Sequence, residues 1–171
     1  HIDTVNMKGP GVLQSVRGNQ QGSERIYLFE SNVFIDATGD GTIGHLAGAE
    51  FTVGREGKEV FGERFAPEKS DTFGLGSSLF FQSKHSDAPV EFIPPDYAYT
   101  KEDMDSLLGS GGRVVNEEMS GTDFWWLEYG GVRDTIKDNQ EITLELKKIV
   151  YGIWDYIKNS GKFDADYLTL E

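Results

Sequence analysis

The residues whose types and spacing are best suited to chemistry are the consecutive stretch Asp36-Ala37-Thr38-Gly39-Asp40-Gly41. It lies between an apolar run and a short segment that can form a helix. Glycines allow backbone N–H groups to come close to a ligand, and the N-terminus of a following helix offers unpaired donors and a favourable dipole. The stretch therefore predicts an anion cradle at a junction between a strand and a helix.

Two interpretations of this junction come from the residues alone. Residues 39–44 match the pattern G-x-G-x-x-G, but a primary dinucleotide fingerprint also needs a full crossover helix, a second strand and a well-placed acid. The break at Gly48-Ala49 comes too soon for such a helix, and residues 50–54 make a poor parallel strand. The other interpretation is a tight turn that binds no ligand.

A small antiparallel sheet is predicted before the junction. Residues 12–16 and 25–29 have strand character and are joined by a polar turn at residues 18–23. Residues 32–37 form a near-continuous apolar run, which predicts a strand buried on both faces. Residues 42–49 are predicted to form a short helix.

Further strands are predicted at residues 77–84 and 124–129, with a helix capped by Thr100 between them. The clearest element comes last, where Asp138 and Glu141 resemble a capping box and Gly161 is a plausible stop. The apolar residues between them recur at helical spacing and predict one buried face: Ile142, Leu146, Ile149, Val150, Ile153 and Ile157.

Charge and composition narrow the classes of function. The chain carries 16 basic and 29 acidic residues, a formal net charge of −13, with no basic cluster, so we expect no nucleic-acid partner. No apolar run is long enough to predict a membrane span. There is no Cys, and the three His residues lack metal-ligand spacing, so no metal site is expected.

The Asp36–Gly41 stretch with the helix after it resembles the second flavin-side motif of FAD-dependent oxidoreductases of the two-dinucleotide-binding type. The resemblance extends from about Gly11 to about Lys158, and an ordered series of motifs is more specific than any one of them. The further segments that resemble this family are Gly54-Arg55-Glu56, Phe61-Gly62-Glu63, residues 92–96, residues 125–131 and residues 149–155.

The resemblance implies an α+β fold of two parts. Residues 1–50 would belong to an FAD-binding domain, as a β-meander followed by a strand, a turn and a short helix. Residues 51–171 would form a substrate-side domain with a mixed sheet and a long C-terminal amphipathic helix. FAD would contact Asp36, Ala37, Thr38, Gly39, Asp40 and Gly41. The candidates on the side of a small-molecule substrate are Arg55, Glu63, Trp125, Trp126 and Glu128.

The family also carries a G-x-G-x-x-G fingerprint upstream of this junction, and residues 1–35 contain no such pattern. We therefore expect an internal or C-terminal part of a longer flavoprotein, which alone is inactive and binds FAD weakly or not at all. Its main partner would be the dinucleotide-binding segment of the same chain. Apolar surface exposed where that segment docks would favour a homodimer.

A different class of function is a carbohydrate-binding or carbohydrate-processing module. Trp125, Trp126 and Tyr129 would then be stacking platforms for sugar rings. Aromatic side chains exposed in a groove would favour this alternative, and buried ones would oppose it. It offers no explanation for residues 36–41.

Overall fold

Two units make up the computed structural model of the chain, His1–Val53 and Gly54–Glu171. The structure describes residues 1–109, 115 and 127–171. Antiparallel sheets and a few helices, one of them long and near the C-terminus, confirm the predicted α+β class. The functional division at residue 50 stays a prediction.

The first unit is built on a three-stranded meander. Strands β1 (Ile2–Gly9), β2 (Val12–Asn19) and β3 (Ile26–Glu30) pair antiparallel in the order β1-β2-β3. The two predicted strands correspond to β2 and β3. Strand β1 was not predicted, because its sequence lacks regular apolar alternation. Gly11, with φ of 70°, turns the chain between β1 and β2.

The predicted strand at residues 32–37 is wrong. No strand is assigned to these residues, and Val33 and Ile35 are 75% and 86% exposed. A strand buried on both faces needs neighbouring strands and covering helices, and the described part of the chain pairs no strand with this segment. The apolar run is therefore left in contact with solvent.

Helix α1 (Thr42–Leu46) follows the glycine-rich stretch and is shorter than the predicted helix at residues 42–49. Gly48, with φ of 77°, ends it in the left-handed conformation typical of a helix stop. Within the first unit, whose residues are all described, Val16 and Ile43 are the buried hydrophobic side chains. This core is small for a unit of its length.

The described residues of the second unit form three helices and four short strands. They are α2 (Lys58–Phe61), β4 (Ser77–Ser78), β5 (Ser83–His85), α3 (Lys101–Gly109), β6 (Glu128–Tyr129), α4 (Asn139–Asn159) and β7 (Leu168–Leu170).

Strand β4 pairs with β6 and strand β5 with β7, both antiparallel. The strand predicted at residues 77–84 is thus two short strands with different partners. Of the strand predicted at residues 124–129, residues 124–126 lie outside the described residues. In the part of the chain that is described, the expected mixed sheet consists of these two antiparallel pairs.

Helix α4 supplies most of the buried core residues that are described in the second unit. All six apolar residues predicted from the spacing are buried, and so is Trp154, which was not predicted. Its indole packs edge-to-face against Phe81 and Phe92, with ring centroids 5.9 and 6.4 Å away. Burying a large apolar side chain contributes about 1.5–3 kcal/mol. Helix α4 is therefore the main stabilising element of this unit.

The helix N-termini differ from each other. Thr100 and Asp103 cap α3 reciprocally, because the Asp103 N–H donates to the Thr100 hydroxyl and the Thr100 N–H donates to the Asp103 carboxylate. This confirms Thr100 as a cap. The capping box predicted for α4 is wrong, since Asp138 makes no side-chain capping bond. Instead, Glu141 lies 3.5 Å from the guanidinium of Arg133.

The C-terminal end of α4 is joined to the last strand by one lysine. The Lys158 ammonium donates to the backbone carbonyls of Ala165, Asp166 and Leu168. Burial lowers the pKa of Lys158. Gly161, with φ of 73°, turns the chain away after the helix, as predicted.

We expect Ile153→Ala to lower the free energy of unfolding by about 2–5 kcal/mol, because it removes a fully buried side chain and leaves a cavity. The matched control is Leu144→Ala on the same helix, where the side chain is 58% exposed and the change should stay within about 0.5 kcal/mol. Urea unfolding followed by circular dichroism measures both. Equal losses in the two variants would contradict this placement of the core.

Candidate functional site

One carboxylate holds the glycine-rich stretch in shape. Asp36 Oδ1 accepts hydrogen bonds from the Thr38 N–H at 3.0 Å and the Thr38 hydroxyl at 2.7 Å, and Oδ2 accepts from the Gly44 N–H at 2.9 Å. The Thr38 hydroxyl oxygen in turn accepts from the Thr42 N–H at 2.7 Å. Asp36 is therefore committed to the structure of its own loop.

These bonds keep the pKa of Asp36 below its usual range. The hydrogen bond from the Thr38 hydroxyl is the largest cause, followed by those from the Gly44 and Thr38 amides. Each donor favours the ionised carboxylate. The loop is thus held most firmly when Asp36 is charged.

Asp40 differs from Asp36, since its exposed carboxylate makes no hydrogen bond to the described residues. It lies between Gly39 and Gly41, whose φ values of 86° and 65° are left-handed. L side chains rarely adopt this conformation, so the backbone requires glycine at both positions. A Cβ at either glycine would meet no atom within 4 Å, so the surface beside Asp40 is open.

The charge of the loop favours a particular kind of ligand group. Asp36 and Asp40 are both acidic, and residues 26–54 contain no Lys or Arg. Helix α1 has five residues, which limits the dipole that could offset these charges. His45, on that helix, packs edge-on against Phe51 with ring centroids 5.6 Å apart. A hydroxyl-bearing ligand group therefore suits this loop better than a phosphate.

The second unit contains an open concavity of about 590 Å³. Gly54 and Arg55 line this concavity, and so does Gly131 from a later segment of the chain; Glu56 does not. The other residues of the lining come from the intervening chain and from the residue after Gly131: Phe73, Gly74, Leu75 and Val132.

Arg55 is fixed at the edge of this concavity. Its backbone forms a two-way bridge with Asp71, each N–H donating to the other's carbonyl at 3.0 Å. Its Nε and Nη2 donate to the Asp71 carboxylate, and its guanidinium carbon lies 5.2 Å from the centroid of the Phe73 ring. The hydrogen bonds from Arg55 lower the pKa of Asp71, and the same bonds raise the pKa of Arg55.

The other substrate-side candidates lie elsewhere. Glu63 is exposed and does not line the concavity. Glu128, on β6, accepts a hydrogen bond from the Gly76 N–H at 2.6 Å and so connects the ends of β4 and β6. Trp125 and Trp126 lie outside the described residues. The roles assigned to these four residues stay predictions.

Sequence reasoning missed Asp71, Phe73, Leu75 and Val132. Asp71 and Phe73 hold Arg55, while Leu75 and Val132 add apolar lining. The only local signal was alternating glycine around Leu75, which is typical of a backbone that approaches another segment closely. Their convergence on Arg55 is a tertiary feature.

The described residues contain neither a metal-binding cluster nor a membrane-spanning helix. Among residues 1–109, 115 and 127–171, no group of three or more His, Asp or Glu side chains could hold a metal ion. None of the helices in those ranges is both long and apolar enough to cross a bilayer.

Comparison with known proteins identifies the class. A family model described as FAD dependent oxidoreductase matches residues 2–170. The chain therefore belongs to the FAD-dependent oxidoreductase family, a class of flavoproteins. Neither the curated proteins nor the solved structures contain a significant match. The comparisons give no support to the carbohydrate alternative, and Tyr129 is half-buried against the core of the second unit.

We expect acid to loosen the loop through Asp36. A lowered folded-state pKa means that its stabilisation is complete above the unfolded value of about 3.9 and is lost as the pH falls through the folded value. The amide resonances of Thr38 and Gly44 should therefore titrate with a midpoint below about 3.9. Asp36→Asn should abolish this step. A midpoint at or above the ordinary aspartate value would contradict the assignment.

Proposed function

We propose that the chain acts within an FAD-dependent oxidoreductase of a small organic substrate, and that residues 36–41 contact a hydroxyl-bearing part of FAD, the ribityl chain. The observation that carries this proposal is the unengaged Asp40 carboxylate between two left-handed glycines. The family model that matches this chain is described as FAD dependent oxidoreductase, which supports FAD as the ligand.

Each residue of the loop has a part in this proposal. Asp40 accepts a hydrogen bond from a hydroxyl, and Gly39 and Gly41 let the ligand approach the backbone because they carry no side chain. Asp36 and Thr38 fix the shape of the loop through their mutual hydrogen bonds. Ala37, exposed between them, keeps the loop narrow.

When bound, FAD supplies the transfer of electrons to or from the substrate. The chain contributes binding, orientation and the local electric field. The negative charges of Asp36 and Asp40 discourage an anionic group at the loop, so they favour one orientation of the cofactor. The proposed roles of these residues include no general acid or general base catalysis.

We propose in addition that a dinucleotide-binding segment outside residues 1–171 completes the cofactor site. Val33 and Ile35 are exposed immediately before the loop, and Leu28 and Phe29 of β3 are 58% and 53% exposed. Apolar surface of this extent is typical of a docking face. Without its partner, the chain would bind FAD weakly, would be inactive and would tend to form a homodimer through the same face.

Asp40→Asn should weaken FAD binding by the whole natural protein about tenfold, because it replaces a charged acceptor with a neutral one of the same shape. FAD titration monitored by flavin fluorescence measures the dissociation constant. The matched control is Glu24→Gln, which neutralises an exposed acid in the turn before β3 and should leave the constant unchanged.

The comparison of the whole protein with residues 1–171 tests the completing segment. We expect the whole protein to be yellow and the 1–171 chain to be colourless. We also expect the 1–171 chain to bind FAD at least about tenfold more weakly than the whole protein. Equal affinity would contradict the role of the second segment. A whole protein that neither carries nor takes up FAD would overturn the proposed function itself.

A further inference from the structure

We propose that the concavity around Arg55 binds a small organic carboxylate with a flat apolar body, either aromatic or conjugated. All residues that line this concavity belong to the second unit. Describing the ligand as the substrate of the oxidoreductase rests on the proposed function.

The hydrogen-bonding groups at Arg55 favour an acceptor ligand. A guanidinium has five N–H donors, and the Asp71 carboxylate uses Nε–H and one N–H of Nη2. Neither hydrogen of Nη1 is bonded to a described residue. The Nη1–Nη2 edge therefore keeps the fork that matches a second carboxylate.

The Asp71 carboxylate beside this edge is already engaged. Asp71 Oδ1 accepts from Arg55 Nε and from the Phe73 N–H at 3.0 Å, and Oδ2 accepts from Nε and Nη2. The Asp71 carbonyl accepts from the Arg55 N–H, and the Gly131 carbonyl accepts from the Gly74 N–H at 2.9 Å. The site thus offers free N–H donors beside a carboxylate whose two oxygens are already engaged, which favours an anionic ligand group.

The rest of the lining suits an apolar body. Phe73, Leu75 and Val132 are 46%, 85% and 72% exposed, although each is a large hydrophobic residue. The volume of about 590 Å³ lies within the range of about 300–1,000 Å³ typical of small-molecule sites. A ligand that covered these side chains would gain hydrophobic free energy in addition to the ion pair.

Glycines let backbone segments of this lining lie close together. A Cβ at Gly131 would lie 2.7 Å from the Gly74 carbonyl oxygen, and one at Gly54 would lie 2.1 Å from the Asp71 carbonyl oxygen. A side chain at Gly54 or Gly131 would therefore push apart the backbone segments that lie close together beside Arg55. Because Gly54 and Gly131 carry no side chain, the lining at these two positions leaves room for a planar group rather than a branched one.

Arg55 is also held in place before any ligand arrives. The backbone bridge, the Asp71 carboxylate and the Phe73 ring restrain it on separate sides. Its side chain therefore loses little further conformational entropy on binding, which favours affinity for a small ligand.

Titration calorimetry with trans-cinnamate tests the proposal, with cinnamamide as the neutral analogue of the same shape. We expect trans-cinnamate to bind and cinnamamide to bind at least about tenfold more weakly, because it lacks the charge that pairs with Arg55. NMR spectra of the ¹⁵N-labelled protein should show the Arg55 Nε–H and the amides of Gly74 and Gly131 shifting with cinnamate. Equal binding of both probes, or binding of neither, would overturn the proposal.

Variants separate the site from non-specific binding. Arg55→Met should weaken cinnamate binding at least about tenfold, and Arg55→Lys should recover part of it. The matched control is Arg64→Met, since Arg64 also lies over an aromatic ring, that of Phe65 at 5.1 Å, but does not line the concavity. Equal effects at Arg55 and Arg64 would contradict the site.

A second variant leaves Arg55 and its partners intact. A Cβ at Gly74 would meet no atom within 4 Å, so Gly74→Val should fold normally while its branched side chain narrows the concavity. Cinnamate binding should fall at least about tenfold with an unchanged unfolding midpoint. Unchanged binding in this variant would overturn the proposed location.

The two proposals fail in different ways. Cinnamate binding needs no flavin, so a protein that binds cinnamate at Arg55 but never binds FAD would retain this site and lose the proposed function. A protein that binds FAD but not cinnamate would retain the function and lose this site.

Discussion

The second unit depends on the burial of one helix face. The apolar side of α4 gathers residues from distant parts of the chain, including Phe81, Met104 and Leu127, around the fully buried Trp154 and Ile153. The strands described in the second unit are two or three residues long, too short to form an independent sheet. Packing against α4 therefore holds them.

This packing also fixes the position of one side of the concavity around Arg55. A Cβ at Gly130 would lie 2.6 Å from Ile142 Cδ1, so the turn that carries Gly131 is pressed against the first buried residue of α4. The Gly74 N–H donates to the Gly131 carbonyl and fixes the opposite side. The position of the lining beside Arg55 thus follows from the core.

In the first unit, the two acids of the glycine-rich loop differ in their hydrogen bonds. The Asp36 carboxylate accepts hydrogen bonds from its own loop, and the Asp40 carboxylate accepts none from the described residues. A sequence motif with two aspartates does not reveal which one is structural. The proposal that Asp40 contacts a ligand rests on this difference together with the family to which the chain belongs.

The sequence predicted what local patterns control. The helical spacing located α4 and its buried residues, and the turn residues located the β2–β3 hairpin. The predictions that failed concern residues whose partners are distant in the sequence. Residues 32–37 have strand composition, but the described residues offer no paired strand. Asp71 and Phe73 looked like ordinary loop residues until the fold brought them to Arg55.

The most direct test of the central claim is amide hydrogen exchange of the whole natural protein with and without FAD. The account predicts that FAD slows exchange in residues 38–44, because the ligand covers this loop, and that Asp40→Asn reduces the protection at equal FAD concentration. FAD binding that leaves exchange in residues 38–44 unchanged would contradict the account, since the cofactor would then bind without the loop.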